Sequence, residues 1–344
     1  MPTPKDTDVF IVGPAYSGST LLGNALNGHP DVAHVGEIAR LPFFDKYNNP
    51  WESCAVCERG AMEGRNMACP VWNRAVKTWL QEAGPAGALQ ILREVNRVPV
   101  IVDGSKDLDW LRRVHEHGVR GLEGRAAVRV ILTVRHPLSY VSTCKRRTSL
   151  PVWQAANIWR DTIFDAFRTL SRLGFPVTIV RYEDFALAPE PVLRNLCDFI
   201  GVDYNPQMLE FWQKPVHPIG GNAGAFVWYS HYQDYIERGA YEVEADRSVS
   251  KTYSVRSFGG WVDDKWRDLL AEWEVDSVLT TPTLMDMSSL VGYDASQFRL
   301  PLRTPAPVVE EPVNVEEAVG AVADTADSSD ADAEPVEARR AEGM

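Results

Sequence analysis

Four short apolar runs rich in β-branched residues punctuate the chain: "DVFIV" (8–12), "VPVIVD" (98–103), "RVILTV" (129–134) and "VTIVRY" (177–182). Their apolar positions are continuous instead of alternating, which is the pattern of strands covered on both faces. Between them lie segments of helical character, "TLLGNALNG", "WNRAVKTWLQEA" and "LDWLRRVHEHG". A longer one, "VWQAANIWRDTIFDAFRTLSRLG" (152–174), repeats its apolar residues at three and four and meets a stop at Gly174 and Pro176. "PEPVLRNLCDFIG" (189–201) opens on proline and closes on Gly201, as short helices do. Strands alternating with helices predict the α/β class, a central parallel sheet flanked by helices.

Composition changes this picture mainly at one end. The formal net charge is -12, yet residues 304–344 hold 11 acids and 2 arginines, or -9, which leaves -12 - (-9) = -3 for the rest. That segment contains no aromatic residue and cannot bury enough apolar surface to offset the entropy of ordering it, so 303–344 is expected to be an acidic disordered tail. The body from 8 to 302 is then one domain preceded by an extension at 1–7. No basic stripe suggests a nucleic-acid partner. The first residues, "MPTPKDTD", lack an apolar signal core, and no run approaches a membrane span, so a cytoplasmic protein without a transmembrane segment is the expectation. Five cysteines, an odd number, argue against a fully paired secreted framework.

The chemistry begins after the first apolar run. "GPAYSGST" (13–20) has the length and glycine spacing of a phosphate-cradling loop between a strand and a helix. A nucleotide kinase would carry lysine where this chain has Ser19, so the loop suits a nucleotide with fewer phosphates, or is only a tight turn. The stretch "PxxSGSTLL" resembles the 5'-phosphosulfate loop of sulfotransferases that use 3'-phosphoadenosine 5'-phosphosulfate (PAPS). Tyr16 stands where many members have Lys or Arg. The resemblance implies cofactor contacts from Tyr16, Ser17, Gly18, Ser19 and Thr20. It also implies a second motif for the 3'-phosphate, and "VRHPLSYVST" supplies Arg135 and Pro137, with Thr143 eight residues after the arginine and Ser142 beside it. Without the resemblance, this stretch reads as a strand end followed by a helix cap.

Other assignments follow from the resemblance alone. "VDGSKDLDWL" is similar to a turn whose lysine lies near the transferring sulfonate, which implies that role for Lys106 and a source for the charge missing at Tyr16. "NGHPDVAHVGEIARLP" resembles the segment carrying the base of tyrosylprotein sulfotransferases, which implies Glu37, with His29 and His34 as competitors. "RYEDFALAPEPVLRNLCDFIG" matches a mainly structural segment. "HPIGGN" (217–222) and "VRSFGGW" (256–261 from Arg256) resemble the cofactor-covering region, which adds Arg256 to the cofactor set.

The expected function is transfer of a sulfonate from PAPS to a hydroxyl of a small-molecule, carbohydrate or lipid acceptor, leaving 3',5'-ADP and needing no metal. A homodimer is compatible with this reading. Pocket shape is expected from the insertion at 40–75 and the segment 205–260, where the aromatic stretch "AFVWYSHYQDYIERGAY" could be a lid or core packing. Cys54, Cys57 and Cys69 are read as stapling the insertion, by one disulfide or as packed thiols, instead of holding a metal, because no fourth ligand lies at a usual spacing. Two alternatives stand: a P-loop small-molecule kinase with "VIVD" as its Mg²⁺-binding strand, and a non-catalytic nucleotide-binding protein with the acidic tail as an interaction arm.

Overall fold

A computed structural model describes residues 6–44, 53–57, 69–118, 126–148, 150–226, 229, 258–260 and 262–298. Five strands, β1 (Thr7–Val12), β2 (Val32–Gly36), β3 (Val100–Asp103), β4 (Ala127–Val134) and β5 (Val177–Arg181), form one parallel sheet in the order β2-β3-β1-β4-β5. Four of the five are the apolar runs of the sequence. The fifth, β2, is an edge strand of sequence "VAHVG", too short and too polar in the middle to announce itself.

The helices are α1 (Ser19–Asn27), α2 (Arg74–Asn96), α3 (Leu108–Gly118), α4 (Pro137–Arg147), α5 (Val152–Leu173), α6 (Tyr182–Leu187), α7 (Pro189–Ile200), α8 (Trp266–Leu269), α9 (Glu272–Leu279) and α10 (Leu284–Leu290). The pattern "WNRAVKTWLQEA" captured only the first half of α2. The helix breaks at Gly84, whose φ of 64° precedes Pro85, and then continues to Asn96. Proline is tolerated there because it opens the second half. Among the described residues no helix is long and apolar enough to cross a membrane.

Strand residues alternate between two apolar clusters. Phe10, Val12, Val130 and Leu132 pack on one side of the sheet, and Val9, Ile11, Ile131 and Val180 on the other. Coverage of both faces explains why those runs were uninterrupted in sequence. Phe226 and Tyr229 are buried in the second cluster, Tyr229 edge-on to Phe211 at 5.9 Å. The described start of the aromatic stretch is therefore core packing. The rest of that stretch, Arg256 among the cofactor candidates, and the segment 303–344 lie outside the described residues.

The topology places the site. The chain crosses from β1 to the far edge, returns to insert β3, and then leaves on the other side of β1 through β4. At such a reversal the loops after adjacent strands diverge and leave a crevice at the carboxyl ends of the strands.

One buried group gives the fold a pH dependence. His136 stacks on Trp266 with ring centroids 5.5 Å apart, lies 4.5 Å from the Phe298 ring, and neither ring nitrogen has a hydrogen-bond partner among the described residues. Burial, aided by the charges of Arg267 and Arg135, lowers its pKa to about 3. The unfolded chain then binds more protons than the folded one between that value and the ordinary histidine value, so stability is lost as pH falls through this window. Between about pH 7.5 and about pH 5 the loss from this residue amounts to about 2 kcal/mol. His136→Phe keeps the ring packing and removes the proton. The stability difference between the variant and the parent, from urea unfolding, should grow by that amount as pH is lowered; a difference independent of pH would refute the assignment.

Candidate active site

The loop after β1 is fixed by its own backbone. Gly13 has a φ of 129°, and a Cβ there would lie 2.1 Å from the Thr133 carbonyl oxygen. Gly18, at φ 82°, packs against Tyr182, whose Cδ2 would be 2.6 Å from an added Cβ. Both glycines are required by close approach as well as by conformation. Ser17 Oγ donates to Pro14 O at 2.7 Å and lies 2.9 Å from Thr133 Oγ1, which donates to Val12 O at 3.1 Å. Ser17 thus shapes the loop from within. Gly18 also caps α1, and the amides of the first turn, without intrahelical partners, point out of the helix toward the crevice. Thr20 Oγ1 accepts from Asn222 N at 3.1 Å, which draws the "HPIGGN" segment over the start of α1.

The second element is Arg135 at the end of β4. Its guanidinium donates from Nη1 to Tyr16 O at 3.2 Å and from Nη2 to Asp263 Oδ2 at 3.0 Å, and it lies 4.7 Å over the Tyr182 ring. Trp159, fully buried on α5, donates from Nε1 to the Arg135 carbonyl at 2.9 Å. Arg135 Nε and the buried Ser142 Oγ have no hydrogen-bond partner among the described residues. Buried polar atoms are rarely left so, and a donor of each kind, seven residues apart across the start of α4, suits an anion. Thr143, at the position eight residues from Arg135, donates its hydroxyl to Ser139 O at 2.9 Å within α4. Of the two hydroxyls singled out in sequence, Ser142 is the one with its proton uncommitted.

Tyr182 and Glu183 explain the "RYED" segment. The tyrosine ring buttresses Gly18 on one side and Arg135 on the other, and Glu183 Oε1 accepts from His136 N at 2.9 Å. One short stretch after β5 therefore holds both phosphate elements in register.

The third element joins Glu37 and Lys106, 69 positions apart, in an ion pair of 2.5 Å with both side chains at 15–17% exposure. Glu37 follows β2 and Lys106 follows β3, and the two strand ends are stitched by Gly104 N to Gly36 O at 2.7 Å. Glu37 N donates to Ile219 O at 2.6 Å, and Lys106 N to Ile11 O at 3.2 Å, which links the pair to the end of β1. Tyr16 and Lys106 are two of only four non-glycine residues with positive φ among those described, at 61° and 60°. Strain of this kind, about 1–3 kcal/mol per residue, concentrates at ligand sites.

The competing bases have other employment. His34 is buried, hydrogen-bonded from Nδ1 to Asn24 Oδ1 at 3.2 Å, and its ring presses on Gly23 and Gly104. Burial and the nearby Lys106 charge lower its pKa to about 3. His29 accepts from Asp31 N at 3.0 Å through Nδ1 and therefore donates from Nε2 to Asp203 O at 2.7 Å. Burial lowers its pKa as well. Both rings organise the turn after α1.

Asp103 bears on the kinase alternative. It is fully buried, accepts from Ser105 N at 2.8 Å and from Trp110 Nε1 at 2.5 Å, and bonds the Ser105 hydroxyl. Burial raises its pKa to about 6 against the opposing effect of those bonds. A carboxylate so engaged is not presented to a Mg²⁺ ion in the crevice, so the strand "VIVD" does not do what a kinase would require of it.

Several participants left no trace in the sequence. Asp263 lies 128 positions from Arg135, and nothing near it marks it as a partner. Arg147, at the end of α4, has its guanidinium carbon 5.9 Å from the Tyr16 ring centroid, so a cation does stand beside the position where lysine or arginine was expected. Cys54, Cys57 and Cys69 are free thiols, the second of the two forms expected of them, and His217 reaches all three from 148 to 163 positions away, a neighbour that no spacing rule pointed to.

Comparison with known proteins gives a family match over part of the chain and a likeness of fold. The model described as "Sulfotransferase family" matches residues 126–206, the part carrying Arg135, α4, β5 and the "RYED" segment. Protein-tyrosine sulfotransferase 1 of Danio rerio is 25% identical over 209 residues, 58% of this chain and 55% of that protein. Protein-tyrosine sulfotransferase A of Caenorhabditis elegans is 22% identical over 205 residues, 60% of this chain and 52% of the relative. The chain thus spans about half the length of the curated relatives it matches. Among solved structures, a sulfotransferase domain from the curacin biosynthetic pathway superposes with a TM-score of 0.54 at 20% identity, covering 85% of this chain and 99% of that one. This last likeness concerns the fold.

Proposed function

We propose, from the match of residues 126–206 to the sulfotransferase family model and the likeness to protein-tyrosine sulfotransferases, that the chain transfers the sulfonate of PAPS to a hydroxyl of a small-molecule, carbohydrate or lipid acceptor. The observation that carries the reading is the convergence, at the carboxyl ends of β1 to β4, of the loop after β1 and Arg135 with the Glu37–Lys106 pair. Arg135 and Ser142 offer uncommitted buried donors for a 3'-phosphate. The loop from Tyr16 to Thr20, with Arg147 beside it, offers amides and a cation for the 5'-phosphosulfate.

In-line transfer between two oxygens asks little covalent work of the protein; it asks for position and for charge where charge develops. Lys106 is held where its ammonium can move from Glu37 to sulfonate oxygens. Glu37 then stands free to accept the proton of the attacking hydroxyl. The relatives' names include tyrosine as an acceptor, and a peptide hydroxyl belongs in any screen.

The test is transfer of labelled sulfonate from PAPS to phenol, sugar, lipid and tyrosyl-peptide acceptors, beside thermal shifts with 3',5'-ADP and with ADP plus Mg²⁺. A raised melting temperature with 3',5'-ADP, smaller in Arg147→Ala, together with a labelled product, is the expected result. A shift only with ADP and Mg²⁺ would overturn the donor assignment. Binding of 3',5'-ADP without transfer to any acceptor would favour a non-catalytic nucleotide-binding protein.

A further inference from the structure

Outside the crevice, one cluster of side chains has no part in the chemistry above. Cys54 and Cys57 lie on one short segment, Cys69 begins the approach to α2, and His217 belongs to the segment that covers the phosphate loop. The three sulfurs and a ring nitrogen of His217 all lie within 4.8 Å of one another. His217 Nδ1 is 3.8 Å from Cys54 Sγ, 3.4 Å from Cys57 Sγ and 3.7 Å from Cys69 Sγ.

Those spacings suit one small ion. With Zn–S near ~2.3 Å and Zn–N near ~2.0 Å, a tetrahedral centre separates sulfur from nitrogen by about 3.5 Å. The three measured separations bracket that value. Three thiolates and one imidazole are a recognised donor set for structural zinc, and soft sulfur ligands disfavour magnesium or calcium. A Cys-x₂-Cys pair commonly supplies two of the four. Cys54 and Cys57 are buried, as a closed structural site requires and an open catalytic one does not.

We propose that Cys54, Cys57, Cys69 and His217 form a structural Zn²⁺ site that clamps the cysteine-bearing segment onto residues 217–219. Binding releases the thiol protons to water and changes no oxidation state. The clamp bears on the active site through the backbone. Ala55 N donates to Pro218 O at 3.0 Å, and Trp72 Nε1 to His217 O at 2.5 Å. Ile219 then pairs with the edge strand, donating to Val35 O at 2.9 Å and accepting from Glu37 N at 2.6 Å. Gly36 permits this approach, since a Cβ there would lie 2.3 Å from Ile219 O. The ion would thus fix the segment against which Glu37 is set, two residues beyond a ligand.

The inference is independent of the reaction proposed above, because metal content is measured without any turnover. Full-length protein purified in the presence of Zn²⁺ should retain about one equivalent through gel filtration, by mass spectrometric metal analysis. Cys57→Ser and Cys69→Ser should each lose it, His217→Cys should keep it, and Cys197→Ser, outside the cluster, should keep it too. If the serine variants fail to fold, the parent protein decides. Co²⁺ should give the ligand-field bands of a tetrahedral thiolate centre, and Zn²⁺ should shield three thiols from alkylation until a chelator is added. Parent protein that binds neither metal, serine variants that hold zinc as well as the parent, or a disulfide among the three cysteines in the native protein would overturn the proposal.

Discussion

Glu37→Gln is expected to lower kcat by about 10²- to 10⁴-fold while the affinity for 3',5'-ADP stays unchanged. The amide fills the same space and can still hydrogen-bond Lys106, but it cannot take a proton from an acceptor hydroxyl. The carboxylate is held by the Ile219 contact of its own backbone and by the ion pair, so the substitution should leave the fold intact. Lys106→Met should reduce kcat by about 10²- to 10³-fold, since it withdraws a donor from the place where charge develops. Because the two side chains touch, the double variant should fall well short of the product of the two losses. Steady-state rates, together with calorimetric binding of 3',5'-ADP, separate these outcomes. A Glu37→Gln enzyme within a few-fold of the parent would remove Glu37 as the base. It would return the question to the crevice, since His29 and His34 are already occupied structurally.

Arg135→Ala carries the second large effect, and it has two parts. The first is ligand binding, because the variant loses the fork that would hold the 3'-phosphate. The second is structural. Asp263, with its side chain 11% exposed, would lose its main partner and keep, among the described residues, the Arg146 guanidinium at 3.8 Å and the Lys265 amide at 3.4 Å. Removing one member of a buried pair costs about 3–5 kcal/mol. Loss of binding in the single variant could then mean only a damaged protein. Arg135→Ala combined with Asp263→Asn separates the two: urea unfolding should recover most of the lost stability, while calorimetry should still find no binding of 3',5'-ADP. Recovered binding in the double variant would show that Arg135 acts on the fold alone.

Arg135, Glu37 and Lys106 were all marked by short matches to a known family; by its place alone Arg135 was a strand end before a helix cap. The alternating strands and helices were legible because a parallel sheet covered on both faces forces continuous apolar runs. The edge strand β2 was not, since "VAHVG" is five residues with a histidine at its centre. The second half of α2 lies beyond a break at Gly84 and Pro85, where the apolar pattern read in sequence ends. The three cysteines were visible, yet their fourth partner was not, because no spacing rule connects Cys69 to a histidine 148 positions away.

What the sequence alone determined is what depends on neighbours along the chain: the strand–loop–helix of the phosphate loop, the glycines that its turn requires, and the class of sheet. Local sterics and periodicity decide these, and both are written in consecutive residues. Only the tertiary structure decided which atoms remain available. It committed Thr143 and Ser17 to internal bonds, left Ser142 Oγ and Arg135 Nε without partners among the described residues, and set Asp263 against Arg135. It also brought Arg147 beside Tyr16 and His217 to the cysteines. Hydrogen-bond satisfaction and charge pairing are properties of whole surroundings, assembled from segments far apart in sequence, and no single stretch of residues contains them.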